Sequence, residues 1–463
     1  MRFTKRSTTR FKTALAGVAA AAMVGVTAAC GSGGSGSQGR ADGVIDYWLW
    51  DSAQQPGYQK CADAFQKENP DLRINITQMG WDDYWQRLTA GFIAGTAPDV
   101  FTDHLAKFAQ YVDLGVLAPL DQLEATKNLQ DGDYQEGLAE LWKGQDGHRY
   151  GAPKDWDTIG IFYNRAMTQA AGISDEQLAN ATWNPTDGGT FEQILARLTV
   201  DTNGVRGDEP GFNKNSIRTY GLNIDEAGGG NYGQTQWSPF AAANGWQATD
   251  VNPWAHRFNF DDPKFQQTLQ WYFGLANKGY APPFAAATDS DRVLASGQVA
   301  MAINGSWMIG TFTSLENAQG EKMDISVAPT PIGPVGHRAS MFNGLADSVV
   351  ANGPEPENAA KWVAFLAGEE CQNIIGDAGV VFPARPAGTQ RAVEYNKRER
   401  NLDVDAFTVQ VRDKTTFQAP VVNYAADIQA LITPALDAIY IGREPVSSMT
   451  QVNEQINSLL EQQ

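Results

Sequence analysis

Apolar and polar positions alternate or recur in a regular order through the first hundred residues after position 43. Val44–Trp50 alternates as a strand does, and Leu72–Thr77 does the same. Tyr58–Asn69 and Asp83–Ala94 have the spacing of amphipathic helices, and Asp99–Phe101 predicts a third short strand. The order strand, helix, strand, helix, strand predicts a parallel α/β layer at the start of the folded region.

The remainder of the chain continues the mixture of strands and helices. Ile159–Tyr163 and Val299–Asn304 predict further strands. Helical spacing predicts five more helices, at Phe191–Leu198, Phe265–Asn277, Ala359–Leu366, Ala425–Tyr440 and Ser447–Glu461. A chain of 463 residues with this pattern predicts an α/β protein of two domains.

The N-terminal segment has the composition of an export signal rather than of a folded element. Five basic residues precede position 13, and the apolar run Ala14–Ala29 is shorter than the ~20 residues that span a bilayer. Small residues then precede Cys30, and a Gly/Ser tether follows, which resembles the lipobox of bacterial lipoproteins; Thr27 departs from that pattern. We predict a signal peptide over 1–29 and a lipidated Cys30 followed by a tether to residue 42. The alternative is an ordinary cleaved signal with a chance cysteine.

The net charge and the aromatic content limit the classes of ligand that this protein is expected to bind. Removing the five basic residues of the signal changes the formal net charge from −18 to −23, which argues against nucleic-acid binding. Many of the 13 tryptophans and 14 tyrosines lie among carboxylates, as in Trp81–Trp85 and Asp155–Asp157. Aromatic rings stack on apolar sugar faces while carboxylates accept hydrogen bonds from hydroxyls, so this composition favours a carbohydrate site.

Cysteine and histidine usage indicates an exported protein without a resident metal. With Cys30 assigned to the lipobox, Cys61 and Cys371 remain as a pair in an oxidising compartment. The four histidines are scattered and no CxxC or HxxxH spacing occurs, so no metal site and no cofactor are predicted.

Five phrases along the chain resemble one family. They are Ala94–Val100, Leu114–Leu120, Tyr150–Pro153, Ile161–Asn164 and Ser296–Trp307. In this order they resemble the family 1 extracellular solute-binding proteins of ABC importers, the type similar to maltose-binding protein. The resemblance implies an α/β fold of two lobes, the type II periplasmic-binding-protein fold, with a hinged cleft that closes on a sugar.

The resemblance also implies where the lobes divide. Lobe one is expected at 43–155 plus 347–395, and lobe two at 158–345 plus 400–463. The same layout places Cys61 on the first helix and Cys371 at the end of the Ala359 helix, both in lobe one, so we predict a disulfide between them. The alternative is two unlinked, buried cysteines.

Ligand contacts are carried over from the family position by position, together with neighbouring aromatic and polar residues. The predicted ligand-binding residues are Trp50, Asp51, Trp81, Asp103, His104, Asp155, Asp157, Tyr232, Trp237, Trp307, Asn343, Gly344, Arg385 and Asn423. The alternative for Asp51 is a helix N-cap, and for Trp81 packing within the lobe.

The function implied is capture of a mono- or oligosaccharide, with an oligosaccharide favoured, and its delivery to the membrane permease of an ABC transporter. The protein is expected outside the cell as a monomer, held to the membrane by its N-terminal lipid. The alternatives are a secreted glycoside-active enzyme, a binder of a non-sugar solute, and a structural or adhesive surface lipoprotein. No Gly-x-Ser-x-Gly, His-Glu-x-x-His or phosphate-loop motif supports an enzyme.

Overall fold

The computed structural model describes residues 42–462. The strands are β1 Val44–Leu49, β2 Arg73–Gln78, β3 Val100–His104, β4 Ala152–Asp157, β5 Ile159–Asn164, β6 Val200–Asp201, β7 Ile217–Asn223, β8 Val299–Gly305, β9 Ile325–Pro329, β10 Ser340–Val349, β11 Phe382–Pro383 and β12 Thr416–Gln418. The helices are α1 Gln55–Glu68, α2 Trp81–Ala94, α3 Leu105–Asp113, α4 Arg165–Ala171, α5 Asp175–Ala179, α6 Gly189–Leu198, α7 Ser238–Ala243, α8 Pro263–Lys278, α9 Ser290–Ala295, α10 Ile309–Phe312, α11 Pro356–Leu366, α12 Glu369–Ala378, α13 Pro386–Glu399, α14 Asp405–Arg412, α15 Ala425–Tyr440 and α16 Met449–Leu460.

The predicted signal peptide, Cys30 and all but the last residue of the predicted tether lie outside the described residues. Across 42–462, no helix combines the length and apolar character needed to cross a membrane.

The first sheet begins as the sequence predicts. β1 pairs in parallel with both β2 and β3, with Val44 opposite Arg73 and Tyr47 opposite Val100. The sheet then continues in antiparallel fashion through β10, β4 and β11, and its strand order is β11-β4-β10-β3-β1-β2. The carboxyl ends of β1, β2 and β3 therefore meet at one edge of this sheet.

The second sheet has the order β6-β7-β8-β5-β9. β5 lies between β8 and β9 and runs antiparallel to both. A separate group of buried apolar side chains, including Tyr163, Trp183 and Trp271, packs around this sheet. The aromatic core of the first sheet contains Tyr47, Phe101 and Trp362. The predicted two-lobe α/β architecture is confirmed.

The chain passes between the sheets through short extended segments. β4 ends at Asp157 in the first sheet and β5 begins at Ile159 in the second, so Thr158 alone joins them. β10 lies beside the same junction, because its Asn343 pairs with Asp157 at the end of β4 and its Ser340 Oγ accepts a hydrogen bond from the backbone N–H of Ile159 at the start of β5, at 2.7 Å. Polar side chains near these segments consequently lie between the lobes.

The predicted disulfide is present and confirmed. Cys61 on α1 is bonded to Cys371, with their Cα atoms 5.2 Å apart, and both residues are completely buried. The predicted place of Cys371 at the end of the Ala359 helix is wrong: α11 ends at Leu366, and Cys371 lies on the next helix, α12. Gly368 in extended conformation separates the two helices, which explains the break.

A buried carboxyl group in the first core makes stability depend on pH. Asp347 on β10 accepts hydrogen bonds from the hydroxyls of Tyr47 at 2.8 Å and Thr102 at 3.3 Å. Burial raises the pKa of Asp347 to about 7 from its ordinary 3.8. The folded protein therefore retains a proton that the unfolded chain loses between these values, and the free energy of unfolding falls as pH rises from about 4 to 7.

We predict that Asp347→Asn removes this contribution, which is at most about 1.4 kcal/mol per pH unit. Urea unfolding of the variant and of the wild type at pH 5, 6 and 7 should show a smaller fall in stability for the variant. Parallel falls in the two proteins would contradict the assignment. The comparison between proteins cancels contributions from other buried groups.

Candidate functional site

A cavity of about 700 Å³ lies at the edge of the first sheet where its parallel strands end. Trp50 and Asp51 follow β1, Trp81 opens α2 directly after β2, and His104 is the last residue of β3. Open α/β sheets commonly bind ligands at the carboxyl ends of their strands. Trp307, which follows β8 of the second sheet, lines the same cavity, so the cavity lies between the lobes.

One wall of the cavity is aromatic. The ring centroid of Trp50 lies 5.1 Å from that of Trp81 and 5.4 Å from that of Trp85, and Trp81 lies 5.4 Å from His104. The exposed fraction of Trp81 is 45 %, which is high for so large an apolar side chain. A cluster whose outer ring remains accessible offers a flat apolar surface to a ligand.

Trp307 faces the cavity from the second lobe. It lies on a single 3₁₀ turn, Ser306–Met308, immediately after β8. A Cβ atom at Gly305 would overlap the Trp307 ring, so glycine at this position lets the indole fold back over the strand end. The ring is half-buried and therefore held by its surroundings while one part remains accessible.

Amides and a carboxyl group form the polar floor. Asp157 accepts hydrogen bonds from Gln234 Nε2 at 2.9 Å and from Asn343 Nδ2 at 3.2 Å. Asn343 Nδ2 also lies 3.2 Å from His104 Nε2. This chain of polar groups runs from β3 of the first sheet through both junction strands to the loop that follows β7 of the second sheet.

A second carboxylate lies on the same face of β4. Asp155 Oδ2 forms a buried ion pair with Lys154 Nζ at 3.2 Å, and that nitrogen also donates to Gln54 Oε1 at 2.7 Å. Asp51 accepts from the backbone N–H of Ala53 at 2.7 Å and from Gln54 Nε2 at 2.8 Å. Asp51 thus fixes the turn before α1 and also lines the cavity, but the N-cap of α1 is Gln54, so the N-cap alternative for Asp51 is wrong.

Burial sets the protonation of these groups. Desolvation, followed by the charge of Asp155, raises the pKa of Asp157 well above its ordinary value. Desolvation also raises the pKa of Asp155, against the opposing effect of Lys154. Desolvation lowers the pKa of His104 to about 4, so this imidazole is neutral at physiological pH.

The cavity brings together eight of the predicted ligand-binding residues. They are Trp50, Asp51, Trp81, His104, Asp155, Asp157, Trp307 and Asn343.

Two aromatic residues predicted in the site lie in the core of the second lobe instead. Trp237 is completely buried, and its Nε1 donates to the carbonyl oxygen of Ala227 at 3.0 Å. Tyr232 is 3 % exposed and stacks on Phe258 with ring centroids 5.9 Å apart. Neither ring lines the cavity, because the loop turns both inward.

Two predicted residues of the first lobe have structural partners away from the cavity. Asp103 is fully buried and accepts from the backbone N–H of His104 at 2.7 Å. Arg385 donates to the carbonyl oxygen of Ala367 at 2.8 Å and to Asp133 at 3.1 Å. Both side chains therefore form hydrogen bonds to other groups of the protein rather than lining the cavity.

The last two predicted residues also lie outside the cavity lining. A Cβ at Gly344 would overlap Leu138, so this glycine is required by packing against that side chain. Asn423 Oδ1 accepts a hydrogen bond from Gln145 Nε2 at 3.5 Å.

Several residues that line the cavity were missed, and five of them carry side-chain amides. They include Gln54, Trp85, Gln86, Lys107, Asn231, Gln234, Thr311 and Gln429. Asn231 and Gln234 belong to the glycine-rich segment 228–234, in which a Cβ at Gly229 would overlap the backbone of Thr433 on α15. The sequence feature that could have indicated Asn231 and Gln234 as cavity residues is this run of glycines interrupted by amides. In this segment the amides, and not the aromatic rings, reach the cavity.

A second hollow, of about 740 Å³, lies between α15 and α16. Its lining is mainly polar, with Asp427, Gln451 and Glu454 among its members, and contains no aromatic ring. The tryptophan-lined cavity is therefore the candidate site.

Comparison with known proteins agrees with this geometry. Residues 60–401 match the family described as bacterial extracellular solute-binding protein. The lactose-binding protein of Rhizobium radiobacter is 23 % identical over 425 residues, which cover 89 % of this chain and 92 % of that protein.

Two solved structures share the fold. The ABC substrate-binding protein Lmo0181 from Listeria monocytogenes, in complex with cycloalternan, has a TM-score of 0.73 at 19 % identity, covering 90 % of this chain and 99 % of that chain. UgpB from Mycobacterium tuberculosis, in complex with glycerophosphocholine, has a TM-score of 0.72 at 19 % identity, covering 91 % and 99 %. With a family match over most of its length and a cavity between two α/β lobes, this chain belongs to the bacterial extracellular solute-binding proteins.

Proposed function

We propose that the protein captures a carbohydrate in the cavity between its lobes and delivers it to the permease of an ABC importer. The observation that carries this proposal is the placement of tryptophans on opposite sides of a polar floor. Trp50 and Trp81 lie on the first lobe and Trp307 on the second, with Asp157 and Asn343 between them. Rings hold the apolar faces of a sugar while carboxyl and amide groups bind its hydroxyls.

Relatives support a carbohydrate, and the charge of the cavity argues against the main alternative. One relative is a lactose-binding protein and one structural neighbour was solved with cycloalternan. The glycerophosphocholine complex of UgpB raises a phosphodiester as the competing ligand. Four carboxylates line this cavity (Asp51, Asp82, Asp155 and Asp157), against one lining cation, Lys107, so an anionic ligand is disfavoured.

A solute carrier binds without chemical turnover, and this distinguishes it from a glycosidase. Thermal-shift measurements against a panel of mono- and oligosaccharides should reveal a stabilising ligand. A ligand at 100 times its dissociation constant stabilises the fold by ~2.7 kcal/mol. The same sugars and p-nitrophenyl glycosides should remain intact after long incubation. Hydrolysis would support the enzyme, and binding only of amino acids, polyamines or metal ions would overturn the proposal.

Lobe closure is expected to accompany binding. We propose that lobe one comprises 43–155 plus 347–395 and lobe two 158–345 plus 400–463, joined only by short segments. One contact between these lobes, the ion pair of Lys414 with Glu136, is exposed to 74 % and 80 % on its two side chains and contributes little to stability. Hinged closure around a ligand is a known mode of conformational change.

We predict that the radius of gyration measured by small-angle scattering decreases when the stabilising sugar is added. A sugar from the panel that causes no thermal shift serves as the control and should leave the scattering profile unchanged. Superimposable profiles at saturation would contradict closure and would indicate a rigid cleft.

The N-terminal segment completes the proposal. We propose that Cys30 carries a lipid after removal of 1–29, and that the Gly/Ser tether separates the binding lobes from the membrane surface. Mass spectrometry of the protein from detergent extracts should show a diacylated Cys30 as the first residue. An unmodified cysteine, or release of the protein into the medium from cells grown with intact export, would contradict the anchor.

A further inference from the structure

The floor of the cavity contains a buried carboxyl group whose bonding partners are neutral. Asp157 is 6 % exposed, and the side chains that donate to it are the amides of Gln234 and Asn343. Among residues 42–462, no lysine, arginine or histidine nitrogen lies within ion-pairing distance of this carboxyl group. Lys154 is paired with the neighbouring Asp155 instead. Desolvation raises the pKa of this carboxyl group, so it keeps its proton more readily than an exposed carboxyl group does, and a cationic partner would stabilise its ionised form.

A second polar atom of the cavity floor, Oδ1 of Asn343, also lacks a partner, in this case a hydrogen-bond donor. Asn343 is 3 % exposed and lines the cavity, and its Oδ1 accepts no hydrogen bond within the described part of the chain. Buried polar atoms are nearly always bonded in folded proteins. An acceptor without a donor, beside a buried carboxyl group that has no cationic partner, fits a group that carries several N–H donors and a positive charge.

The surroundings favour the same group. Asp51 and Asp155 lie in the lining with Asp157, and the accessible rings of Trp81 and Trp307 border the cavity. Carboxylates attract a cation by charge, and tryptophan faces attract it through the negative potential of the ring. A sugar that has only hydroxyl groups would supply no cation to Asp157.

We infer that the preferred ligand carries a basic nitrogen, and that it is an amino sugar whose ammonium group is bound by Asp157 and Asn343. This inference rests on the proposed carbohydrate function and specifies its substrate class. The rings bind the sugar faces as before, and the ammonium group supplies the missing cation and the missing donor at the floor.

The inference is tested with pairs of sugars that differ only in one group. Glucosamine with glucose, galactosamine with galactose, and fully deacetylated chitosan oligosaccharides with cello-oligosaccharides of equal length provide an ammonium or a hydroxyl at the same position. By isothermal titration calorimetry at pH 6.5, we expect an amino member to bind about ten- to a hundredfold more tightly than its hydroxyl partner, the range of a hydrogen bond to a charged group.

Two variants test whether the preference for the amino member depends on Asp157. Asp157→Asn keeps the size of the side chain but removes its charge, and it should abolish most of the preference for the amino member. Asp63→Asn makes the same charge change on the exposed face of α1, outside the cavity lining, and should preserve the preference. The melting temperature of each ligand-free variant verifies folding, and affinity for the hydroxyl member verifies that the cavity remains intact.

The outcomes separate this inference from the function on which it rests. Equal or tighter binding of the hydroxyl member in every pair that binds would overturn the amino-sugar inference and leave a carbohydrate carrier. An unchanged preference in Asp157→Asn would also overturn it. Failure of every member of every pair to bind would count against both the inference and the proposed function.

Discussion

Replacing both Cys61 and Cys371 by alanine should lower the free energy of unfolding by several kcal/mol. The disulfide joins residues 310 positions apart, so it restricts the unfolded chain over most of its length. The chain-entropy model gives a contribution of about 6 kcal/mol for a loop of this size, and measured values are often smaller. Urea unfolding of the double variant and the wild type gives the difference directly.

The same variant should bind its sugar normally, because the bridge connects α1 and α12, and both cysteines lie in the hydrophobic core that contains the first sheet. Wild-type protein unfolded with and without a reductant is the matched control, since reduction should reproduce the loss. Two alkylatable thiols in the exported wild-type protein, or equal stability of variant and wild type, would contradict the assignment.

Replacing Trp307 by alanine should weaken sugar binding by at least ~1 kcal/mol, about fivefold, while the lobes remain folded. The indole is the aromatic surface that the second lobe brings to the cavity opposite Trp50 and Trp81. Closure would place the ligand between these surfaces, so loss of one ring removes half of the stacking. Calorimetry with the ligand found in the panel measures the change.

Trp307→Phe is the matched variant, because it retains a flat ring and should recover part of the affinity. Unchanged affinity in Trp307→Ala would assign the side chain to packing at the strand end. A large fall in the melting temperature of the ligand-free variant would give the same conclusion.

Local patterns predicted the first part of the fold well. The alternation of Val44–Trp50 and the helical spacing of Asp83–Ala94 reflect elements with one buried and one exposed face, and both elements are present within two residues of the predicted bounds. β4 and β10 were missed because their buried residues include charged and amide side chains such as Asp155 and Asn343, whereas the equally buried β5 is an apolar run and was predicted. A strand covered on both faces shows no alternation, so only a continuous apolar run indicates it in the sequence.

The candidate site was predicted where a residue directly follows a strand. Trp50, His104 and Trp307 all end or follow strands, and the ends of strands within a lobe converge in space. The loop after β7 was harder, because its conformation decides which side chains point inward. Trp237 was predicted to contact the ligand and is core, whereas Gln234 was missed and bonds to Asp157. The spacing of residues in the sequence does not indicate which side chains of this loop point into the cavity.

The central claim is that a carbohydrate binds between the two lobes at the tryptophan-lined cavity. A crystal structure of the protein with the sugar that gives the largest thermal shift tests it most directly. We expect a sugar ring against Trp50 or Trp81 on one side and Trp307 on the other, with a polar group of the ligand at Asp157. A sugar bound elsewhere, with this cavity empty, would contradict it.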